Sequence, residues 1–483
     1  MDLGHSVGAE IVFVATLTIT FFAAYLGRKH SKVNNRGLAN EKLNKWLIGL
    51  SAGATANSGF IVTGAVGLGY SFGPQWLFLP IAWFLGDLIF WRYCPDRINK
   101  VGKVTGVTTL SELLKSGLSG KFATASSILA TLLIVICLGA YTSAQWLAGQ
   151  KFVAGAFELS ATWSLLLFST LIIAYTSIGG FRGSVYADAV QAVIRIIGTL
   201  LALVLVSFYA INHHLEFINN WQAAGESFNQ WLPGNSLSAF IFFILGYAFA
   251  AFGFGLGQPQ LVSRYLAGRS PEETKSAQWI YIGFVQFTWL SMTLFGVLLR
   301  GVMPDISDPE AGLSIFFHSH FSGIISGIII ADIFSTIAAT SNSLLVAMAQ
   351  AVLHGVFPKS VSENSRLSIT MVFILGAITM IGSVLLADKS TVFAIAIGAI
   401  SLMASGLAAP VLIKIFNHPR SGTSLFISMV MGLVSASLWK YSEMSNILNE
   451  AAIGISIGFI SNYLFMLRTK KIENKKLSME RQQ

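Results

Sequence analysis

A chain of 483 residues has the length of two or three soluble domains, yet 54% of its residues are apolar, only 11% are charged, and its mean hydropathy is +0.67. Soluble globular proteins carry about 25% charged residues, so most of this chain has lipid as its solvent. The two cysteines, Cys94 and Cys137, lack C-x-x-C spacing and exclude a disulfide framework or a thiolate metal site.

A helix needs about 20 mostly apolar residues to cross the hydrocarbon layer. Runs of this kind predict thirteen spans, in chain order Ile11–Leu26, Trp46–Leu68, Trp76–Phe90, Ala125–Gly149, Ala161–Ile178, Ala187–Tyr209, Ala239–Leu256, Trp279–Leu299, Gly323–Leu353, Ile369–Leu386, Val392–Ile415, Leu425–Leu438 and Ala452–Leu467. The first lacks the charged n-region of a cleaved signal peptide and is expected to be a true helix. Cytoplasmic loops retain Lys and Arg. Threading the spans alternately leaves only Lys151, Arg300, Lys389 and Lys440 on one side and almost every other basic residue, including Arg28, Lys32, Arg36 and Lys359, on the other. The N-terminus is therefore expected outside and the C-terminus in the cytoplasm, in the plasma (inner) membrane. The net charge of +9 is then a topology signal, because no basic stripe interleaved with aromatics points to nucleic acid. The tail from Arg468 reads as a solvated end that can touch anionic lipid.

Two spans read poorly as continuous helices. Span 2 carries Leu50-Ser-Ala-Gly-Ala-Thr-Ala-Asn-Ser-Gly-Phe60 at mid-membrane, and span 7 carries Gly253, Gly255 and Gly257 just ahead of Pro259. Non-helical backbone at that depth survives only where it lines a protein cavity; the alternative is close helix packing through small residues. The two stretches lie five spans apart, an odd offset that gives repeats of opposite topology, as in secondary transporters whose ligands sit between discontinuous helices. Spans 2–6 and 7–11 would be the repeats. The expected divisions are a peripheral helix and loop (1–42), the first repeat (43–212), an outer loop (213–237), the second repeat (238–417), two peripheral spans (418–467) and a basic tail (468–483).

Ionisable groups inside a membrane are functional candidates by default. They are Asp87 on span 3, Asp188 and Arg195 on span 6, and Asp332 on span 9. Asp188, Gln191 and Arg195 share one helix face, and Arg195 stands nearly two turns from Asp188. Ser335 and Thr336 follow Asp332 at i+3 and i+4, so the three can face one cavity, with Thr340 and Ser343 continuing the stripe. Hard cations take carboxylate, hydroxyl and carbonyl oxygens, and an unwound span 2 would supply the carbonyls. The other reading has the hydroxyls bonding their own helix.

Tyr175-Thr-Ser-Ile-Gly-Gly-Phe-Arg-Gly-Ser-Val-Tyr-Ala-Asp-Ala-Val-Gln191 and Gly257-Gln-Pro-Gln-Leu-Val-Ser-Arg-Tyr-Leu-Ala267 resemble signature stretches of the sodium:solute symporter family, especially its sodium/proline branch, and Tyr141-Thr-Ser-Ala-Gln-Trp-Leu-Ala-Gly149 fits as well. The resemblance implies an all-α polytopic membrane protein of the leucine-transporter type, with five-helix inverted repeats, a broken first helix in each, and alternating access. It implies a sodium site from the carbonyls of Ala54 and Asn57, the backbone of Asp332, and the hydroxyls of Ser335 and Thr336. Ser58 and Asp188 would serve a second sodium or the exit path. The substrate pocket would take Thr55, Ala56, Tyr141, Thr142, Gln145, Ala251, Phe252 and Phe254. Three positions depart from the pattern: Ala56 replaces an aspartate of the proline branch, Asp332 replaces a common alanine, and Ala251 replaces a cavity tryptophan. The carboxylate is expected to have moved from span 2 to span 9.

The expected function is sodium-coupled import of a small organic solute, with proline or a related amino acid first in line. Sodium, the solute and the lipid bilayer are the expected partners, with no organic cofactor, no enzymatic activity and no obligate protein partner. No G-x-x-x-x-G-K-[ST] loop is present for ATP. Proton coupling and a sensor with a symporter-like fold are the alternatives, although the segment after Leu467 is short for a signalling domain. An aspartyl protease would need Asp188 and Asp332 to share a proton, and saturable sodium-stimulated uptake separates a carrier from a channel.

Overall fold

In a computed structural model, residues 3–30, 42–157, 159–234, 236–357, 365–386 and 390–480 are described, and they are helical nearly throughout. Lys32, Arg36, Lys359 and Lys389 of the charge pattern lie outside them. The first helices are α1 (Leu3–His30), α2 (Lys45–Ala56), a π-helix (Phe60–Ala65), α3 (Val66–Phe72), α4 (Phe78–Tyr93), α5 (Pro95–Thr105), α6 (Leu110–Lys115), α7 (Lys121–Phe157), α8 (Ala161–Asn212) and α9 (His214–Ala223). Then come α10 (Leu237–Gly257), α11 (Pro259–Leu266), α12 (Pro271–Ser276), α13 (Gln278–Val302), α14 (Gly312–His320), α15 (Gly323–Val356), α16 (Ser365–Leu386), α17 (Val392–Ile415), α18 (Gly422–Tyr441) and α19 (Glu450–Glu480).

Among the described residues, 10 helices are long and apolar enough to cross a membrane, or 11 if the pair bent by 40° after Tyr93 counts as one span. Of the thirteen expected spans, Trp76–Phe90 qualifies only as part of that bent pair, and two more fall short. Trp46–Leu68 is interrupted, and Ala161–Ile178 contributes an apolar stretch that ends at Ser177. The latter runs on into the next span through Gly180, whose φ of 62° and ψ of −168° suit a residue without a Cβ.

Helix α2 starts at Asn44, whose side chain accepts from the Leu47 amide at 2.9 Å, a cap that satisfies an otherwise orphaned donor. It stops at Asn57, where ψ swings to 74°. Small residues before the stop offer little packing, and Asn and Ser compete locally for backbone groups. The second break differs from expectation. The glycines of 253–257 stay helical, and the chain breaks at Gln258, with φ −88° and ψ 106°. A residue before proline is pushed out of the α region, so Pro259 sets the break. A Cβ at Gly255 would strike the Phe90 ring and one at Gly253 the Ala404 side chain, so those glycines serve close packing. The ends of the two broken elements are stitched by Leu43, whose amide donates to the Ala267 carbonyl at 3.0 Å and whose carbonyl accepts from Arg269 at 2.9 Å.

Candidate functional site

Helices α2, α8, α11 and α15 bring four buried charges together in two pairs. Asp332 on α15 accepts from Arg195 Nη1 at 2.7 Å through Oδ2 and from Thr336 at 3.3 Å through Oδ1. Arg195 Nε also donates to Asn57 Oδ1 at 3.2 Å, so one guanidinium joins α8 to α15 and to the break after α2. The Asn57 amide nitrogen donates in turn to Thr288 on α13. Gly198, one turn beyond Arg195, makes room for the carboxylate: a Cβ there would collide with the Asp332 side chain.

The second pair is Asp188 with Arg264, 2.8 Å apart. Ser51 of α2 donates to the same carboxylate oxygen at 2.7 Å, and Arg264 reaches Ser51 and Ser343, each at 2.7 Å. Arg264 also donates to the Gln260 carbonyl. One cation therefore binds α2, α8, α11 and α15 together. Both pairs are almost wholly inaccessible to solvent. Each carboxylate has its own guanidinium, so the two do not share a proton and the protease geometry is not formed.

Charge pattern alone assigned Arg264 to a cytoplasmic loop. Its position two turns into the helix opened by Pro259 was the available signal, since α11 is buried along its whole length. Arg195 does share a helix face with Asp188, but it pairs across to Asp332.

The break after α2 is held open by side chains. Gln145 on α7 accepts the Gly59 amide at 2.8 Å through Oε1, and the Tyr141 hydroxyl faces Ser58. Ser58 Oγ in turn accepts the Phe60 amide at 3.3 Å. Thr340 donates to the Thr55 carbonyl at 3.0 Å and lies 3.5 Å from that of Ala54. Ser335 is buried, and its hydroxyl has no hydrogen-bond partner among the described residues. Thus Arg195 joins Asn57 to Asp332, which accepts from Thr336, while the hydrogen bond to the Ala54 carbonyl comes from Thr340.

Of the residues expected in the substrate pocket, Tyr141 and Gln145 meet at the break. Thr55 turns to Ser343 at 3.1 Å and to Asp188 at 3.4 Å, and Thr142 bonds its own helix at the Leu138 carbonyl. Ala56 is buried, Ala251 packs against Gly86 of α4, and Phe252 is half-buried. Phe254 stacks edge-on to Trp83, which meets Trp289, which meets Phe60; their ring centroids are 5.2–5.4 Å apart. Trp83 and Trp289 were not singled out from sequence, because an aromatic residue within an apolar run carries no local signal.

A bundle of apolar helices, two of them broken beside buried ion pairs, is the architecture of a multi-span membrane protein. The chain belongs to the sodium:solute symporter family, whose sequence model matches residues 37–432. It is 23% identical over 479 residues to the high-affinity proline transporter PutP of Bacillus subtilis (strain 168), covering 94% of this chain and 96% of that protein. It is 25% identical over 347 residues to sodium/proline symporter 2 of Staphylococcus saprophyticus, covering 70% of this chain and 66% of that one. A solved Na+-coupled sialic acid symporter, in a substrate-bound outward-open state, shares the fold with a TM-score of 0.76 at 18% identity, covering 94% of this chain and 97% of that one.

Proposed function

We propose that this protein imports a small organic solute, proline or a related amino acid first in line, by alternating access driven by an inward sodium gradient. The observation that carries this reading is the interruption of α2 at Asn57–Gly59, met by Tyr141 and Gln145 of α7 and tied through Arg195 to Asp332 of α15. Backbone unwound at membrane depth offers carbonyls to a cation and amides to a solute carboxylate. Ala54, Asn57, Asp332, Ser335 and Thr336 are the proposed sodium ligands, with Ser58 and Asp188 on the exit path. Tyr141, Gln145 and the neighbouring aromatic rings would receive the solute. Helices α2–α8 and α10–α17 would form the two inverted repeats, with the N-terminus outside and the C-terminus in the cytoplasm of a plasma-membrane protein.

Coupling follows from linkage: if sodium orders the break and so tightens solute binding, the solute tightens sodium binding by the same factor. The test is uptake of radiolabelled proline, other amino acids and monocarboxylates into proteoliposomes with and without an inward sodium gradient. Gradient-dependent accumulation of one compound supports the proposal and names the substrate class. Accumulation driven by a proton gradient alone would replace sodium by protons, and no accumulation under either gradient would refute symport of these solutes.

A further inference from the structure

Two of the residues proposed to bind sodium already hold a cation through their side chains. The Arg195 guanidinium holds Asp332 at 2.7 Å and Asn57 Oδ1 at 3.2 Å, the side chains of two residues proposed to bind the ion. We propose that Arg195 and sodium are alternative occupants of this cluster, the guanidinium acting as a tethered cation that sodium must displace from Asp332. This inference rests on the proposed placement of the sodium site between α2 and α15.

The charge balance requires the exclusion. Asp332 brings one negative charge, which neutralises one monovalent cation, and a guanidinium stays protonated in proteins. Sodium beside an undisplaced Arg195 would leave a buried site with a surplus positive charge and with the desolvation of both cations uncompensated. Two further atoms are consistent with an exchange. Ser335 Oγ and Arg195 Nη2 are both buried, and neither has a hydrogen-bond partner among the described residues. One offers an oxygen to an incoming ion, and the other leaves the guanidinium incompletely bound where it sits. Gly198 supplies the geometry, because any side chain there would drive the Asp332 carboxylate away.

The exchange also reaches the solute site. Arg195 is the only hydrogen-bond donor to Asn57 Oδ1 found among the described residues, and Asn57 ends α2 at the break. Sodium arriving at Asp332 would free Asn57 from α8, whereas sodium leaving would return the guanidinium to it. The break would thus carry a cation in both states, one mobile and one tethered.

The test compares the full-length protein with Arg195→Met, in sodium chloride against choline chloride. One readout is the sodium concentration for half-maximal uptake of the best solute. The other is the sodium-specific rise in melting temperature of the purified protein without solute, which needs no transport. Competition predicts that R195M lowers the half-saturating sodium concentration at least about tenfold and enlarges the sodium-specific thermal shift. Arg195→Lys, which keeps a tethered charge, should stay near the wild-type value. Should R195M fail to fold with Asp332 unpaired, Arg195→Gln, which is uncharged but can still donate a hydrogen bond to the carboxylate, keeps the test open: it must still respond at lower sodium than wild type.

An unchanged or weaker sodium response in the folded variants that lack the charge would overturn the inference, and a sodium-stimulated wild type would then leave the proposed function standing. A wild type that ignores sodium beside an R195M that responds would support the inference and refute sodium drive in the native protein. Sodium indifference in both would refute both.

Discussion

Arg264 ties four elements together, and its removal has a calculable consequence. Arg264→Met leaves Asp188 buried with the Ser51 hydroxyl as its nearest donor, at 2.7 Å. Removing one partner of a buried pair costs about 3–5 kcal/mol, most of it the desolvation of the charge left behind. Asp188→Leu should cost a comparable amount, because Arg264 then keeps only Ser51, Ser343 and the Gln260 carbonyl. Replacing both, as R264M/D188L, leaves no buried charge at all. Such replacements are often close to neutral, so the double variant should be less destabilised than the sum of the singles by about 2–3 kcal/mol. Unfolding in mixed detergent micelles, followed by tryptophan fluorescence, reads each value and closes the cycle. Single losses below about 1 kcal/mol, or effects that add to within about 0.5 kcal/mol, would refute the assignment of Arg264 as a buried, coupled charge.

Gly198→Val should force the Asp332 carboxylate off α8 at a cost of about 1–3 kcal/mol and abolish uptake; wild-type stability and transport in that variant would refute the close approach. Lys151 bridges Asp308 at 3.0 Å and the buried Glu310 at 2.7 Å, while Glu310 also faces the first amides of α17. Since Lys151 is one-third exposed, Lys151→Met should destabilise by only about 1 kcal/mol, measured by thermal melting. Burial would raise the Glu112 carboxyl, but hydrogen bonds from His354 and Thr108 outweigh it and bring its pKa down to about 2, against an ordinary 4.5. A depressed carboxylate contributes stability in full above its unfolded value and loses it as pH falls toward the folded one. The stability gap between wild type and Glu112→Gln should therefore close between pH 4.5 and about 2, as read by melting temperature against pH.

How far the sequence could be read depended on the range of the interaction concerned. Membrane solvation is local to a segment, so the apolar runs marked nearly every long helix, and the backbone limits of Pro259 were visible in one dipeptide. The glycines before it were misleading because a glycine that packs against a ring and one that unwinds a helix look alike until the neighbour is known. Asp332 was legible as a buried carboxylate among hydroxyls, but its partner comes from 137 positions away. Arg264 was lost to a rule that treats basic residues as loop markers. Thr55 faces the Asp188 cluster rather than Tyr141 because a helix rotation of one residue, about 100°, decides which cavity a side chain lines.

The two pairs impose an order on possible movements. Helix α2 touches both through uncharged groups, Ser51 on Asp188 and Asn57 on Arg195, whereas α8 contacts α15 and α11 through opposite charges. Detaching a neutral group from a charged one gives up about 1.5–3 kcal/mol, against about 3–5 kcal/mol for separating a buried pair by losing one partner. A ligand-driven rearrangement that leaves Asp188 paired with Arg264 should therefore move α2 against α8 and α11 before it separates those two. Spin labels on α2 and α8, and in a second sample on α8 and α11, measure the two distances by pulsed electron resonance as sodium and solute are added. The first distribution should shift and the second hold. A shift of α8 against α11 with α2 fixed to α8 would show that this ion pair, and not the neutral contacts, is the one that opens.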